Sequence, residues 1–131
     1  MLTRLLLAAA LLCCGQAFAS GELLTPEQAF PMQAVRASNG DVLLVFNVAP
    51  GYALYKERLS VKSEMVARVE KPAGIVHNDE YLGPMELYRE RAVIRVVLKK
   101  PWAPLELQLK SQGCADAGVC YNPVTRTLRI P

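Results

Sequence analysis

Short apolar runs separated by turn-forming residues dominate the chain from about residue 32 onward. Met32–Ala37 and Val42–Val48 are the first two predicted strands, and Ser38-Asn39-Gly40-Asp41 between them has the composition of a hairpin turn. Val42–Val48 is apolar at nearly every position, which predicts a strand buried on both faces. Pro50-Gly51 ends this strand. The stretch from residue 32 to residue 51 is therefore typical of an all-β protein.

The same pattern of short apolar runs and turn-forming residues continues to the end of the chain. Leu54–Lys62 alternates in part, Met65–Val69 is a short strand, and Thr125–Ile130 is the last one. Ala92–Leu98 and Leu105–Lys110 alternate well, so each is predicted to bury one face. Roughly seven or eight strands at this spacing favour a two-sheet sandwich of the immunoglobulin type.

Two segments lack this pattern. His77–Arg91 is rich in acidic and aromatic residues and is interrupted by Gly83-Pro84, so we predict a long loop leading into the next strand. Gly21–Gln28 is polar and is predicted to be a loosely held lead.

The first 19 residues have the features of a secretory signal peptide. Arg4 supplies the positive start, Leu5–Leu12 is an apolar run, and Ala17-Phe18-Ala19 is a small-x-small cleavage site. We therefore expect residues 1–19 to be a signal peptide and residues 20–131 to form one exported domain.

Two alternatives for this segment have weaker support. Acylation at Cys13 or Cys14 would make a lipoprotein, but Leu11 and Leu12 are bulky where small residues are expected. An uncleaved anchor would need about 20 apolar residues to span a bilayer, and this run is shorter.

Removal of the signal changes the cysteine count more than the charge. The formal charge falls from +3 to +2 with the loss of Arg4, and four cysteines become two. Basic residues are scattered among acidic ones, which is typical of a solvated surface and not of a nucleic-acid-binding stripe. In an oxidising compartment the remaining pair, Cys114 and Cys120, should form a disulfide.

These two cysteines lie in QGCADAGVCYNP, Gln112–Pro123, and are separated by five residues. Closing so short a ring removes chain entropy worth only about 2.4 kcal/mol, less than a long-range crosslink would contribute. Gly113 and Gly118 suit a tight, exposed turn in which another thiol could reach the sulfurs. A redox-active pair fits this arrangement, and a structural bridge that pins a hairpin is the alternative. A zinc site is a weak rival, because two cysteines and the single His77 supply only three of four ligands.

Four stretches give the chain a family resemblance. They are LTPEQAF, GYALY, HNDEYLG followed by ELYRER, and QGCADAGVCYNP, and they extend from Leu24 to Pro123 within a resemblance that runs to Ile130. The chain resembles the N-terminal periplasmic domains of the bacterial thiol:disulfide interchange protein DsbD. The resemblance implies an immunoglobulin-like β-sandwich with an inserted catalytic subdomain that carries the cysteine pair and a cap loop.

The resemblance also implies an electron-relay function in the periplasm. The donor would be a thioredoxin-like C-terminal domain of a DsbD-type protein, which is itself supplied by cytoplasmic thioredoxin through a membrane domain. The acceptors would be periplasmic disulfide isomerases and a cytochrome c maturation thioredoxin. No bound cofactor is expected, since the cysteine pair itself carries the electrons. This chain stops at Pro131, so we expect either a fragment of such a protein or a stand-alone version that depends on another reductase.

Site residues follow from the motif positions. Cys114 and Cys120 would be the redox pair, with Cys120 forming the mixed disulfide with partners. Asp79 and Glu80 would be acidic neighbours that exchange protons with Cys120, although charges on a loop are by default only solvated. Tyr81 and Leu82 would form the cap, where family members have Phe and a second aromatic residue. The pocket walls would be Tyr55 and Tyr121.

The residues around the cysteines predict a rather unreactive dithiol. No predicted helix begins at either cysteine, so no helix dipole is available to lower a thiol pKa. Asp116, Asp79 and Glu80 would instead disfavour a thiolate. Such a pair would react mainly with an activated thiol on a partner.

Overall fold

The computed structural model describes residues 22–131, which form eleven strands in three antiparallel sheets, one short α-helix and one 3₁₀ turn. The predicted signal peptide lies outside the described residues. Within residues 22–131 the helices are all too short to cross a membrane. The elements are α1 (Pro26–Ala29), β1 (Met32–Arg36), β2 (Val42–Asn47), β3 (Tyr52–Tyr55), β4 (Ser60–Lys62), β5 (Val66–Glu70), β6 (Ile75–Asp79), β7 (Gly83–Tyr88), β8 (Arg91–Leu98), β9 (Leu105–Ser111), β10 (Gly113–Ala115) and β11 (Val124–Ile130).

Two of the sheets form the sandwich. Their strand orders are β1-β2-β8-β5 and β11-β9-β4, and their inner faces share one hydrophobic core. Strands β8 and β9 each bury every second residue, as their alternating sequences predict. Strand β2 is buried on both faces over most of its length, which is also confirmed. The all-β, immunoglobulin-like fold expected from the strand pattern is therefore present.

The third sheet, with strand order β10-β3-β7-β6, carries the cysteine pair. Its inner face packs on the main core through Tyr52, Leu54, Tyr88 and Ala115. Its other face, which we call the outer face, carries buried residues that do not belong to that core: Ala53, Met85, Leu87 and Cys114. Since side chains alternate along a strand, a shift of one residue would exchange the two sets.

The prediction of a long loop over His77–Arg91 is wrong. Most of this segment belongs to the hairpin β6–β7 and to the start of β8, with Asp79 paired to Gly83 next to the connecting turn. Strand β6 is the last in its sheet and is exposed over most of its length. An edge strand of this kind has no buried face, so its sequence lacks the apolar alternation by which a strand is recognised.

The prediction of a loosely held lead before residue 29 is also wrong. Thr25 caps α1 with a complete capping box, in which the side chains of Thr25 and Gln28 each bind the other residue's backbone N–H. Ala29, the last residue of α1, is fully buried in the core. The Leu24 N–H also donates to the Tyr52 hydroxyl at 2.8 Å. Polar residues in this lead therefore cap and anchor the backbone.

The segment 54–62, which alternates only in part, divides between two sheets. Strand β3 ends at Tyr55, a single 3₁₀ turn covers Lys56–Arg58, and β4 then joins β9 in the sandwich. The chain thus leaves the cysteine-bearing sheet and enters the sandwich after only four residues, 56–59.

Asp41 is a buried carboxylate at the end of the first hairpin turn. The residue is 5% exposed, and its Oδ1 accepts the Leu98 N–H at 3.1 Å. Its Oδ2 accepts the Asn39 amide at 2.9 Å and lies 3.4 Å from the Arg95 guanidinium. The Leu98 N–H, then the Asn39 and Arg95 contacts, hold the pKa of Asp41 below its usual range against the opposing effect of burial. This carboxylate joins the β1–β2 turn to β8.

We predict that Asp41→Ala lowers the free energy of unfolding at pH 7 by about 1–3 kcal/mol, because it leaves the buried Leu98 N–H without its acceptor. A lowered folded-state pKa stabilises the protein above the unfolded-state pKa, and this contribution is lost as the pH falls through the folded-state value. The difference between wild type and Asp41→Asn should accordingly shrink below about pH 4. Urea unfolding at several pH values, with the disulfide intact, measures both effects.

Glu106→Gln, which removes an exposed partner of Arg129, is the control and should change stability by less than about 0.5 kcal/mol. A stability gap for Asp41→Asn that persists unchanged into acid would contradict this role.

Candidate functional site

The cysteine pair closes a short hairpin at the edge of the third sheet. Cys114 and Cys120 are bonded, with an S–S distance of 2.06 Å and a Cα–Cα distance of 4.0 Å, and they pair as an antiparallel bridge. Ala115 N–H donates to the Val119 carbonyl and Gly118 N–H donates to the Ala115 carbonyl, which closes a three-residue turn. Gly118 has φ +96, a conformation that other residues adopt at a cost. The glycine in the ring is thus required by the turn.

The two sulfurs differ in exposure. Cys114 lies in β10 and is 8% exposed, whereas Cys120 lies on the returning arm of the hairpin and is exposed. An incoming thiolate must approach along the axis of the S–S bond, so access favours attack at the exposed sulfur. The arrangement makes Cys120 the reachable atom and Cys114 the protected one.

An aromatic cluster supports the base of this hairpin. Phe30 meets Tyr52 and Tyr121 edge-on at ring-centroid distances of 6.2 and 6.1 Å, and Tyr52 and Tyr121 stack at 6.4 Å. A Cβ at Gly113 would lie 2.2 Å from the Phe30 ring, so only glycine fits before Cys114. Sequence reasoning did not single out Phe30, because an apolar residue at the end of the LTPEQAF stretch gives no sign of its partner.

Tyr121, predicted as a pocket wall, belongs to this base. Its N–H donates to the Gly113 carbonyl at 3.0 Å, and its hydroxyl donates to the Leu24 carbonyl. The Gln112 amide donates to the Tyr121 carbonyl at 3.2 Å. Tyr121 thus connects both arms of the cysteine hairpin to the N-terminal segment.

Tyr55, the other predicted wall, lies directly beside the disulfide. Its hydroxyl oxygen is 2.9 Å from the Cys114 sulfur and 3.9 Å from the Cys120 sulfur. Desolvation raises the pKa of the Tyr55 phenol, and the Asp79 carboxylate raises it further, while Arg58 and Arg89 act in the opposite direction. The phenol is therefore protonated at neutral pH.

The predicted acidic residues and cap lie at the turn of the β6–β7 hairpin. Asp79 Oδ1 accepts the N–H groups of Tyr81 and Leu82 at 2.8 and 2.9 Å, and these two bonds lower the pKa of its carboxyl. Glu80 is exposed in the same turn. Asp79 thus shapes the turn and also contributes its charge to the surroundings of Tyr55.

The two cap residues point into solvent in this oxidised structure. The exposed fractions are 90% for Tyr81 and 58% for Leu82. A Tyr81 ring with this exposure is not packed over Cys120, so this conformation does not bring the predicted cap and the disulfide together. Their role as a lid stays a prediction.

A basic residue that sequence reasoning left without a role also reaches the hairpin. Arg89 forms an ion pair at 2.8 Å with Asp116, which lies inside the cysteine ring, and the Asp116 N–H donates to the Gly51 carbonyl. The charge of Asp116, expected to disfavour a thiolate, is thus partly offset by Arg89. The only sequence signal for this pairing was the position of Arg89 in the ELYRER stretch.

Within residues 22–131 there is no group of three or more His, Cys, Asp or Glu side chains placed to hold a metal ion.

Comparison with known proteins assigns this arrangement to a family. The family model for the N-terminal domain of the thiol:disulfide interchange protein DsbD matches residues 20–131. The chain belongs to this family. Curated DsbD proteins are similar to it: that of Citrobacter koseri is 34% identical over 99% of the chain, and that of Ralstonia nicotianae is 38% identical over 86%.

The chain spans only about a quarter or less of these relatives, which the alignments cover to 24% and 19%. Two solved structures of DsbD N-terminal domains match the fold. The reduced form from Neisseria meningitidis gives a TM-score of 0.73 at 30% identity, covering 82% of this chain and 89% of the other. A complex of the DsbD N-terminal and PilB N-terminal domains from the same organism gives 0.74 at 30% identity, covering 83% and 88%.

Family membership and the bonded cysteine pair together identify a DsbD-type thiol-disulfide interchange domain. Its immunoglobulin-like fold agrees with that of the Neisseria domains. The Cys-x5-Cys hairpin carries the disulfide of this domain.

We predict that neutralising the cap-turn acids lowers the pKa of the Cys120 thiol, because a nearby negative charge opposes thiolate formation. In a Cys114→Ala background, Glu80→Gln and Asp79→Asn should each lower this pKa, by up to about one unit. Asparagine keeps an Oδ1 acceptor for the turn, so the second variant changes charge with little change of loop geometry. Thiolate absorbance as a function of pH gives the shift.

Glu106→Gln on the sandwich is the charge-matched control and should leave the Cys120 pKa unchanged. If the cap-turn variants leave the pKa in place or raise it, Asp79 and Glu80 are solvated loop charges with no influence on the thiol.

Proposed function

We propose that this domain is a periplasmic protein-disulfide reductase that takes electrons from a thioredoxin-like donor domain and passes them to disulfides of periplasmic partners. Cys120 is the atom that exchanges with partners, and Cys114 is the resolving thiol. The observation that carries the proposal is the unequal exposure of the two sulfurs on the outer face of the third sheet. A bridge placed for stability alone would gain nothing from one exposed sulfur.

The position of the bridge relative to the core supports the same conclusion. Cys114 is buried but lies outside the main hydrophobic core, and the loop closed by the bridge spans only six positions. Most of the core comes from strands of the two sandwich sheets, and the third sheet adds Tyr52, Leu54, Tyr88 and Ala115, but neither cysteine. Loss of the S–S bond on reduction therefore leaves the core packing intact, which a domain that cycles between two redox states requires.

The proposed donor is the thioredoxin-like C-terminal domain of a DsbD-type protein, and the proposed acceptors are periplasmic disulfide isomerases and a cytochrome c maturation thioredoxin. The Neisseria complex with the PilB N-terminal domain supports recognition of another protein domain by this fold. In our proposal the domain works in the periplasm after export, and no cofactor is needed because the two thiols carry both electrons.

The cap turn is proposed to act next to the exchanging sulfur. Asp79 and Glu80 would take protons from Cys120 or return them during exchange. Tyr81 and Leu82 would form a lid that shields the pair. The support for this placement is the influence of Asp79 on the Tyr55 phenol, since Tyr55 touches the sulfurs.

The rival function is a non-catalytic immunoglobulin-like binding module with a structural disulfide. The exposed apolar residues on the β6–β7 hairpin would suit such a module, and the largest of them are Ile75, Val76, Tyr81 and Leu82. A module of this kind would have no need for an accessible Cys120, which favours the reductase.

We predict that Cys114→Ser forms a stable mixed disulfide with a thioredoxin-like partner, because no resolving thiol remains to release it. The partner would keep only its attacking cysteine, activated as a mixed disulfide with a coloured thiol, so that release of colour reports each exchange. The rate for Cys114→Ser should exceed that for Cys120→Ser by more than about tenfold, since the remaining thiol of the latter is buried.

The double variant Cys114→Ser/Cys120→Ser gives the background rate. Equal rates for the two single variants would refute the assignment of Cys120 as the exchanging sulfur, and no exchange by either would refute the reductase.

A further inference from the structure

The Tyr55 hydroxyl is positioned by the register of the third sheet. Cys114 in β10 lies directly opposite Ala53 in β3, and Tyr55, two residues further, is on the same face of that strand. A residue diagonally across an antiparallel pair is within reach of an aromatic side chain. The small side chain of Ala53 leaves room for the ring of Tyr55 to approach the Cys114 sulfur. The Tyr55 N–H donates to the Gln112 carbonyl at 3.0 Å, which fixes the backbone beside the hairpin.

The direction of the contact follows from the redox state. Cys114 is in a disulfide and carries no proton, so the Tyr55 hydroxyl is the donor and the sulfur is the acceptor at 2.9 Å. The same hydroxyl is 3.9 Å from the Cys120 sulfur, so the contact is clearly closer to one sulfur. The sulfur that receives the hydrogen bond is the protected one, which becomes the leaving group when a partner attacks Cys120.

We propose that Tyr55 is a catalytic residue whose hydroxyl stabilises the Cys114 thiolate during disulfide exchange. The inference rests on the proposed function, in which Cys120 is attacked. A thiolate of the thioredoxin-like donor forms a new S–S bond with Cys120, the Cys114–Cys120 bond breaks, and its electron pair goes to the Cys114 sulfur. The Tyr55 O–H keeps its proton and donates a hydrogen bond to this negative charge. The second donor thiolate then releases Cys120, and solvent protonates both cysteines.

The same contact acts in the direction of substrate reduction. The Cys120 thiolate attacks the disulfide of an acceptor, and the Cys114 thiolate then attacks Cys120 to release the reduced acceptor. A hydrogen bond that favours the Cys114 thiolate increases the fraction of resolving nucleophile at neutral pH. Tyr55 therefore shortens the lifetime of the mixed disulfide.

Tyr55 also explains how the site works among acidic residues. The nearby carboxylates of Asp79 and Asp116 oppose a negative charge on sulfur, and only Asp116 has a close cationic partner, Arg89. The neutral Tyr55 hydroxyl, at hydrogen-bond distance, stabilises the transient thiolate. Unlike a positively charged donor, it does not attract the carboxylates of Asp79 and Asp116. A hydrogen bond to a charged group is stronger than one to a neutral group, so the contact strengthens as the S–S bond breaks.

The experiment compares Tyr55→Phe with Tyr88→Phe. Tyr88 lies in the same sheet but on its inner face, where its hydroxyl donates to the Pro72 carbonyl at 2.6 Å, away from the sulfurs. In a Cys120→Ala background, Tyr55→Phe should raise the pKa of the Cys114 thiol by about one unit, the size expected for a lost hydrogen bond to a charged group. Tyr88→Phe should leave this pKa unchanged.

With both cysteines present, Tyr55→Phe should slow reduction of the disulfide by dithiothreitol several-fold and lengthen the lifetime of the mixed disulfide with the acceptor. The pKa and the dithiothreitol rate need no protein partner, so they test Tyr55 even if the proposed reductase function fails in the partner assay. An unchanged Cys114 pKa and an unchanged dithiothreitol rate in folded Tyr55→Phe would overturn the proposal.

Discussion

The pairing of β10 with β3 is the constraint on which the redox site depends. This register places Gly113 and Ala115 toward the core and Cys114 on the outer face of the third sheet. Because side chains alternate along a strand, a slip of one residue would bury the sulfur in the core and turn Ala115 outward. The position of the disulfide, its contact with Tyr55 and the accessibility of Cys120 all follow from this one strand register.

Close packing at Gly113, on the core side of β10, holds this register. A side chain there would collide with the Phe30 ring and with the Ala53 carbonyl, 2.6 Å from its Cβ, so β10 can pack this closely only with glycine at position 113. Phe30 is fixed in turn by α1, whose capping box orders the N-terminal segment. Tyr52 and Tyr121 complete this link, because their hydroxyls bind the N–H and the carbonyl of Leu24. A segment remote in sequence thus stabilises the cysteine hairpin.

Much of this organisation could be predicted from the sequence where burial alternates. Strands β8 and β9 bury every second residue, and both were predicted with nearly their observed bounds. Strand β6 was missed because an exposed edge strand leaves no apolar period, and β10 was missed because three residues within a turn-like motif are too few to show one. The cysteine pair could be found from its spacing and motif. The Tyr55–sulfur contact and the Arg89–Asp116 pair could not, since both depend on strand register across residues far apart in sequence.

The proposed function makes the Cys114–Cys120 bond a carrier of electrons, and the reduction potential of this bond tests that claim most directly. The potential of residues 20–131 can be measured by equilibration with dithiothreitol or glutathione buffers. A relay must have a potential between those of its donor and its acceptors, which places it above about −300 mV. A structural bridge in an exported protein lies below that value. A measured potential above about −300 mV is the result predicted here, and a lower one would contradict the reductase function and favour the binding module.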